Sequence, residues 1–346
     1  MSTNRTHPAP RVSIVIPAYQ CANTIPHVIT AALQQTVQPV QVIVVNDRSP
    51  DALDEAVKPF LDRIEYIRNE QNLGLARSCN CGLQRADADY AMTLHSDCIL
   101  DRDYVEKLIQ HMERDPTLGA ATGQYLFSDP ASLSLSDRLF ALLNLLPLET
   151  DRRDQSLNFL LFIEGKADVF RRSTLQELNY FTENLKLTSE DQDLSARMRQ
   201  RGFRLLQDTS CRFQVMFSGT SDALWKVLRK QRTYARGQAY IALRYGRAIL
   251  GESSTVNRQA RARHRLSQLV FATVLLLALP VACWQPAWAW FIPSWIIFRM
   301  LTYRQLATPF SWKDKVLARL LGPVADVLYW IGALEGTVKT LLFRST

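Results

Sequence analysis

Short, continuous apolar runs alternate with segments of helical spacing over the first hundred residues. Val12 to Ile16 is a β-branched run that ends in Pro17-Ala18-Tyr19, and Thr24 to Leu33 places apolar residues at 25, 28, 29, 32 and 33. Val42 to Val45 and Ile64 to Ile67 are further strand-like runs, Leu73 to Arg85 has a helical pattern, and Tyr90 to Leu94 is a fourth strand. Continuous rather than alternating apolar runs are what a sheet covered on both faces requires. The order β-α-β-α-β-α-β therefore predicts an α/β fold with a doubly wound, mostly parallel sheet. Tyr104 to Met112 follows as an amphipathic helix, Ala120 to Leu126 as a strand, and Ser189 to Arg201 as a charged helix stopped by Gly202. Residues 127–163 are rich in Leu with interspersed Asp and Arg, and fit a mobile lid, a membrane-leaning insert or surface helices equally.

The pattern changes near residue 222. From Asp222 to Tyr245 apolar and aromatic positions recur among arginines, as in a helix lying in a membrane interface. Leu266 to Trp284 then carries no formal charge over 19 residues, long enough to span a bilayer. Pro286 to Phe298, with Trp288, Trp290 and Trp295, reads as a second, short span, and residues 313–343 as an amphipathic or embedded helix broken near Gly322-Pro323. The expected division is a catalytic-type domain over 1–221, a basic interfacial helix and linker over 222–265, and membrane helices over 266–346.

Charge sharpens this division. The formal net charge is +8, but Trp225 to Arg265 holds eleven Lys/Arg against Glu252 alone, a net of +10, which leaves about −2 for the rest. A basic segment next to an apolar span points to an anionic membrane rather than to nucleic acid. Arg258, Arg261, Arg263 and Arg265 before the first span, and Arg299 and Arg304 after the second, place both flanks on the cytoplasmic side. Met1 to Arg11 is polar and shows no secretory signal. Six cysteines are scattered without zinc-type spacing, as expected in a reducing compartment.

Strands one, two and four end in polar residues on one edge: Pro17-Ala18-Tyr19, Asp47, and His95-Ser96-Asp97. In an open α/β sheet the ligand crevice lies beyond the carboxyl ends of the strands. No Walker-type glycine loop is present to hold phosphates, so a divalent metal, Mg²⁺ or Mn²⁺, is the expected bridge between a carboxylate and a diphosphate. Each carboxylate also has a structural reading, Asp47 and Asp97 as turn or cap residues and Asp191 as part of a capping box, Ser189-Glu190-Asp191-Gln192.

Together VSIVIPAY (12–19), VIVVNDRSPD (42–51), NLGLARSCNCGL (72–83), TLHSD (93–97), EGKADVFRR (164–172) and SEDQDLSARMRQRGF (189–203) resemble family 2 glycosyltransferases, inverting enzymes of the GT-A fold, over roughly residues 11–247. The membrane tail is similar to that of members building bacterial surface or lipid-linked glycans. The resemblance implies transfer of a sugar from a nucleotide-diphospho-sugar donor to a lipid-linked or glycan acceptor at the inner face of a bacterial-type cytoplasmic membrane, with glycan-assembly proteins as further partners. It implies that Pro17, Ala18, Tyr19, Asp47, Arg77, Asn80, His95, Ser96 and Asp97 bind the donor. Asp97 matches the second carboxylate of the D-x-D motif and is the implied metal ligand. His95 stands where the first carboxylate would be, and is a second candidate ligand whose nitrogen suits Mn²⁺. Asp191 matches the general base, and Gly165, Glu190, Gln231, Arg232 and Arg236 fall on the acceptor and phosphate side. The Gln231-Arg232 segment departs from Q-x-x-R-W and lacks its tryptophan, which implies transfer of a single sugar. Two alternatives stand beside this reading: a polyprenyl-phosphate glycosyltransferase, whose phosphate acceptor needs no base, and a non-catalytic nucleotide-sugar-binding partner.

Overall fold

The computed structural model describes residues 11–127, 133–144, 156–163, 165–183, 189–216, 224–246, 256–285, 290–302 and 310–343. The chain forms two compact units, one of residues 1–126, 153–186 and 190–218, the other of 127–152, 187–189 and 219–346.

The first unit is built on a nine-stranded mixed sheet. Strands β1 (Val12–Ala18), β2 (Gln41–Asn46), β3 (Glu65–Arg68) and β4 (Tyr90–Leu94) are joined through helices α1 (Ile25–Leu33), α2 (Leu53–Val57) and α3 (Leu75–Arg85). They pair in parallel in the order β3-β2-β1-β4, with Ile14 opposite both Val42 and Met92. Every residue of β1 and β4 is buried, which is why their sequence is apolar without alternation. The parallel half thus follows the sequence pattern.

Beyond β4 the sheet turns antiparallel. Chain order continues with β5 (Cys98–Leu100), α4 (Tyr104–Arg114), β6 (Leu118–Phe127), α5 (Leu135–Asn144), β7 (Leu157–Phe159), β8 (Ala167–Arg171), α6 (Arg172–Glu177), α7 (Glu190–Gln200) and β9 (Arg204–Val215). β8 inserts beside β4, with Leu94 opposite Ala167, and β6, β9 and β5 follow. The buried Tyr104 hydroxyl locks α4 to this half, donating to Ala167 O at 2.6 Å and accepting from Gly123 N at 2.7 Å. Val15, Ile43, Val45, Leu83, Phe170, Leu194 and Met198 meet in the core between sheet and helices.

Among the described residues the second unit contains α5 with four further helices: α8 (Leu224–Tyr245), α9 (Val256–Trp284), α10 (Phe291–Thr302) and α11 (Trp312–Phe343). Two stretches among the described residues are long and apolar enough to cross a membrane, His264–Trp284 and Trp312–Leu342. The 12 residues of α10 rise only about 18 Å, short of the ~30 Å hydrocarbon layer. The sequence reading is corrected at three points. Of residues 286–298, 286–289 lie outside the described residues, and the described part belongs to a helix too short to span. α11 runs unbroken through Pro323, where packing against α8 and α9 outweighs the single hydrogen bond a proline removes. Arg299 does not flank a span in water but is 6% exposed, its Nε donating to Asp326 Oδ2 at 2.6 Å. Of residues 127–163, the described parts are α5, β7 and the short runs beside them; 128–132 and 145–155 lie outside the described residues.

Helix α8 packs backbone to backbone on α11. A Cβ at Gly332 or Gly336 would collide with the carbonyl of Arg232 or Arg236 respectively. The spacing of four between Gly332 and Gly336 is that of small residues that allow close helix approach.

Candidate active site

A cavity of about 430 Å³ opens at the carboxyl ends of β1, β2 and β4, lined by Pro17, Ala18, Tyr19, Asp47, His95, Ser96 and Asp97 together with Thr24, Asn72, Gly74 and Ser78. The expected convergence of strand ends is therefore present. The loops after β1 and β2 are stitched together, since Gln20 N donates to Ser49 Oγ at 2.7 Å and Ala22 N to Asp51 Oδ2 at 2.8 Å.

Asp47 does more than line this cavity. Its buried carboxylate accepts Asn69 Nδ2 at 2.9 Å, Leu73 N at 2.7 Å and Gly74 N at 2.8 Å. It thereby fixes the entry into α3, and a carboxylate with about four acceptor sites keeps one for a ligand. The residues that α3 itself contributes to the sequence reading are turned elsewhere. Asn80 is buried, donating to Phe181 O at 2.9 Å and accepting Phe181 N at 3.0 Å, and Arg77 lies 3.5 Å from Glu183. Neither lines the cavity.

At the end of β4 the chain makes a tight turn, with Cys98 N donating to His95 O at 3.1 Å and His95 N to Lys166 O at 2.8 Å. Lys166 Nζ comes within 3.8 Å of Asp97 Oδ2. Burial holds His95 down to about 4, helped by the Lys166 charge, so the imidazole is neutral at pH 7. Burial works against the Asp97 charge, but Lys166, then His95, keep its carboxyl below the usual range. Asp97 is therefore ionised. Cys21, on the cavity wall, is pushed up to about 11 by burial and is an unreactive thiol.

Asp191 and Glu190 open α7. The first turn is fixed by Ser195, whose Oγ donates to Asp191 O at 2.6 Å and accepts Ile163 N at 3.1 Å. Two residues on, the buried Asp193 carboxylate takes Thr182 Oγ1 at 2.7 Å and Arg197 Nε at 2.8 Å, while Arg197 also donates to the carbonyls of Leu178 and Tyr180. The Asp193-to-Arg197 pattern is thus the anchor of the helix. What faces Asp191 is Gly165, at φ +72°: a Cβ there would lie 3.1 Å from Asp191 Cβ and 3.3 Å from its Oδ2. Gly165 adjoins Lys166, so Asp191 and Asp97 flank the same two residues at the start of β8.

Residues 13–178 match the family model described as glycosyl transferase family 2. The chain carries a family 2 glycosyltransferase domain. Over 236 residues it is 24% identical to the poly-β-1,6-N-acetyl-D-glucosamine synthase of Staphylococcus aureus strain MSSA476, an alignment covering 67% of this chain and 56% of that protein. The Staphylococcus epidermidis synthase of the same name is 22% identical over the same length. The chain spans little more than half of these relatives. A mannosyltransferase from Pyrobaculum calidifontis, solved with GDP-Man and Mn²⁺, is similar in fold, with TM-score 0.50 and 16% identity over 83% of this chain and 85% of that one.

Among the described residues no group of three or more His, Cys, Asp or Glu could hold a metal ion unaided. The donors that the sequence points to, Asp97 and the neutral His95, are too few for a protein cage and would fit a divalent ion only where diphosphate oxygens and water complete it. Gln231, Arg232 and Arg236 lie on α8 in the second unit. Gln231 is buried, its Oε1 accepting Arg265 Nη1 at 3.2 Å, and Arg232 pairs with Glu335 of α11. Sequence reasoning missed Lys166, although its motif was visible: only the antiparallel insertion of β8 beside β4 brings it to Asp97.

Proposed function

We propose that this protein is a membrane-associated inverting glycosyltransferase that moves one sugar from a nucleotide-diphospho-sugar to a hydroxyl of a lipid-linked or surface-glycan acceptor. The observation that carries this reading is the approach of Asp191, through Gly165, to the Lys166–Asp97 pair at the edge of the cavity. The Asp191 carboxylate takes the proton of the acceptor hydroxyl as its oxygen attacks the anomeric carbon, and the bond to the diphosphate breaks on the opposite face. Asp97 and His95 would hold a divalent metal, which when bound offsets the charge of the leaving diphosphate. Pro17 to Tyr19, Asp47 and Ser96 line the nucleoside side. The apolar helices α9 and α11 and the basic stretch before them support a seat on the anionic cytoplasmic face of a membrane, near a lipid-linked acceptor.

A panel of UDP-, GDP- and dTDP-sugars, screened for metal-dependent thermal stabilisation and then for transfer to membrane lipid or glycan, tests the proposal. Asp97→Ala is expected to abolish metal-dependent stabilisation. Asp191→Asn is expected to bind donor and fail to transfer. Wild-type rates in Asp191→Asn would instead point to a phosphate acceptor and overturn the base mechanism.

A further inference from the structure

Lys166 has no part in the reaction as written above, yet its ammonium stands beside the carboxylate that would hold the metal. The two side chains are 31% and 36% exposed, and their 3.8 Å separation is too long for a hydrogen bond. An ammonium has three donors, so it can take a diphosphate oxygen while staying next to Asp97. A histidine at position 95 brings no negative charge, and Lys166 sets a positive one within 3.8 Å of Asp97, so a bare divalent cation at Asp97 meets a carboxylate already neighboured by a cation. A diphosphate at the same place meets the Lys166 ammonium.

We propose that Lys166 is a donor-binding residue that takes the diphosphate directly, so that the nucleotide binds first and without metal, and the divalent ion is recruited only by the diphosphate. This rests on the donor reading of the cavity and adds the order of assembly to it. The Lys166 side chain can be changed without touching the backbone hydrogen bond from His95 N to Lys166 O, which pins the turn after β4.

The test is calorimetry on the full chain in detergent with UDP, GDP and inorganic pyrophosphate, each in EDTA and in Mn²⁺, with Mn²⁺ binding in the absence of nucleotide followed by electron paramagnetic resonance. Wild type is expected to bind UDP or GDP in EDTA. Lys166→Met is expected to weaken that binding, and binding of pyrophosphate, at least tenfold, and Lys166→Arg to retain it. The same Lys166→Met variant is expected to bind nucleotide-free Mn²⁺ several-fold more tightly, because the competing cation is gone. Opposite effects on the two ligands are not what a damaged fold produces. Unchanged EDTA binding in Lys166→Met overturns the proposal. Wild-type binding in Mn²⁺ but none in EDTA overturns it and leaves the donor reading intact, whereas no binding in either condition removes the donor reading as well.

Discussion

Gly165→Ala separates positioning of the proposed base from binding of the donor. The glycine sits at φ +72°, where an L side chain costs about 1–2 kcal/mol. The added methyl would lie 3.1 Å from Asp191 Cβ and 3.3 Å from Oδ2, so one of the two residues must give by a few tenths of an ångström. The Asp191 backbone cannot easily give, because Ser195 Oγ holds its carbonyl at 2.6 Å. The carboxylate turns instead, and an off-rotamer side chain adds roughly 0.5–1.5 kcal/mol. The sum, about 1.5–3.5 kcal/mol, lowers the melting temperature by roughly 3–14 °C for a unit of this size. A 1 Å misplacement of a reacting group can cost ~10²-fold, so a shift of a few tenths is expected to lower kcat roughly tenfold. The measurement is nucleoside diphosphate release under saturating donor, paired with calorimetric binding of the donor, which is expected to stay within about twofold of wild type. A kcat unchanged beside an inactive Asp191→Asn would refute the positioning argument. A loss of donor affinity equal to the loss of rate would put Gly165 on the donor side instead.

Other substitutions probe the remaining contacts. Asp47→Asn replaces an acceptor-only group by one that directs an amide toward the N–H groups of Leu73 and Gly74, and is expected to cost about 3 kcal/mol in chemical denaturation; a loss below 1 kcal/mol would show that the clamp contributes little. His95 is held at about 4 against 6.5 for the free side chain, so the unfolded chain binds the proton first as pH falls, and stability is full above about 6.5 and declines toward 4. In EDTA the melting temperature of His95→Gln is expected to fall less steeply across that window, and identical slopes would exclude His95 as the source. Arg299→Met leaves Asp326 buried and unpaired and is expected to cost about 3–5 kcal/mol in detergent, while Arg299→Met with Asp326→Leu recovers most of it; a double variant as unstable as the single one would show that the charges themselves are required.

How far the sequence could be read depended on what each residue answers to. The first four strands were legible because burial on both faces forces continuous apolar runs such as Val42 to Val45. Asp97 and Asp191 could be singled out because their neighbours belong to recurring motifs, and the structure brings both to the Gly165-Lys166 step. β9 was missed since its burial is interrupted by Gln207, Ser210 and Gln214, so that no apolar run marks it. Lys166 and the Asp47 clamp depend on partners up to 69 residues away in the chain, Asp97 for one and Asn69, Leu73 and Gly74 for the other, and no local pattern encodes which strand lies beside which. Arg299 was misread for a related reason. A cation at the end of an apolar run looks like a boundary until Asp326 is seen opposite it.

The seam between α8 and α11 also constrains how this gene can change. Gly332 and Gly336 sit against the carbonyls of Arg232 and Arg236, with equal spacing on both helices. Inserting one residue between Gly332 and Gly336 would rotate one end of the helix by about 100° and bring Ala333 or Glu335 against a carbonyl with no room for a side chain. Length variation among descendants of this chain is therefore expected to collect in the connecting segments, and to be purged from residues 332–336.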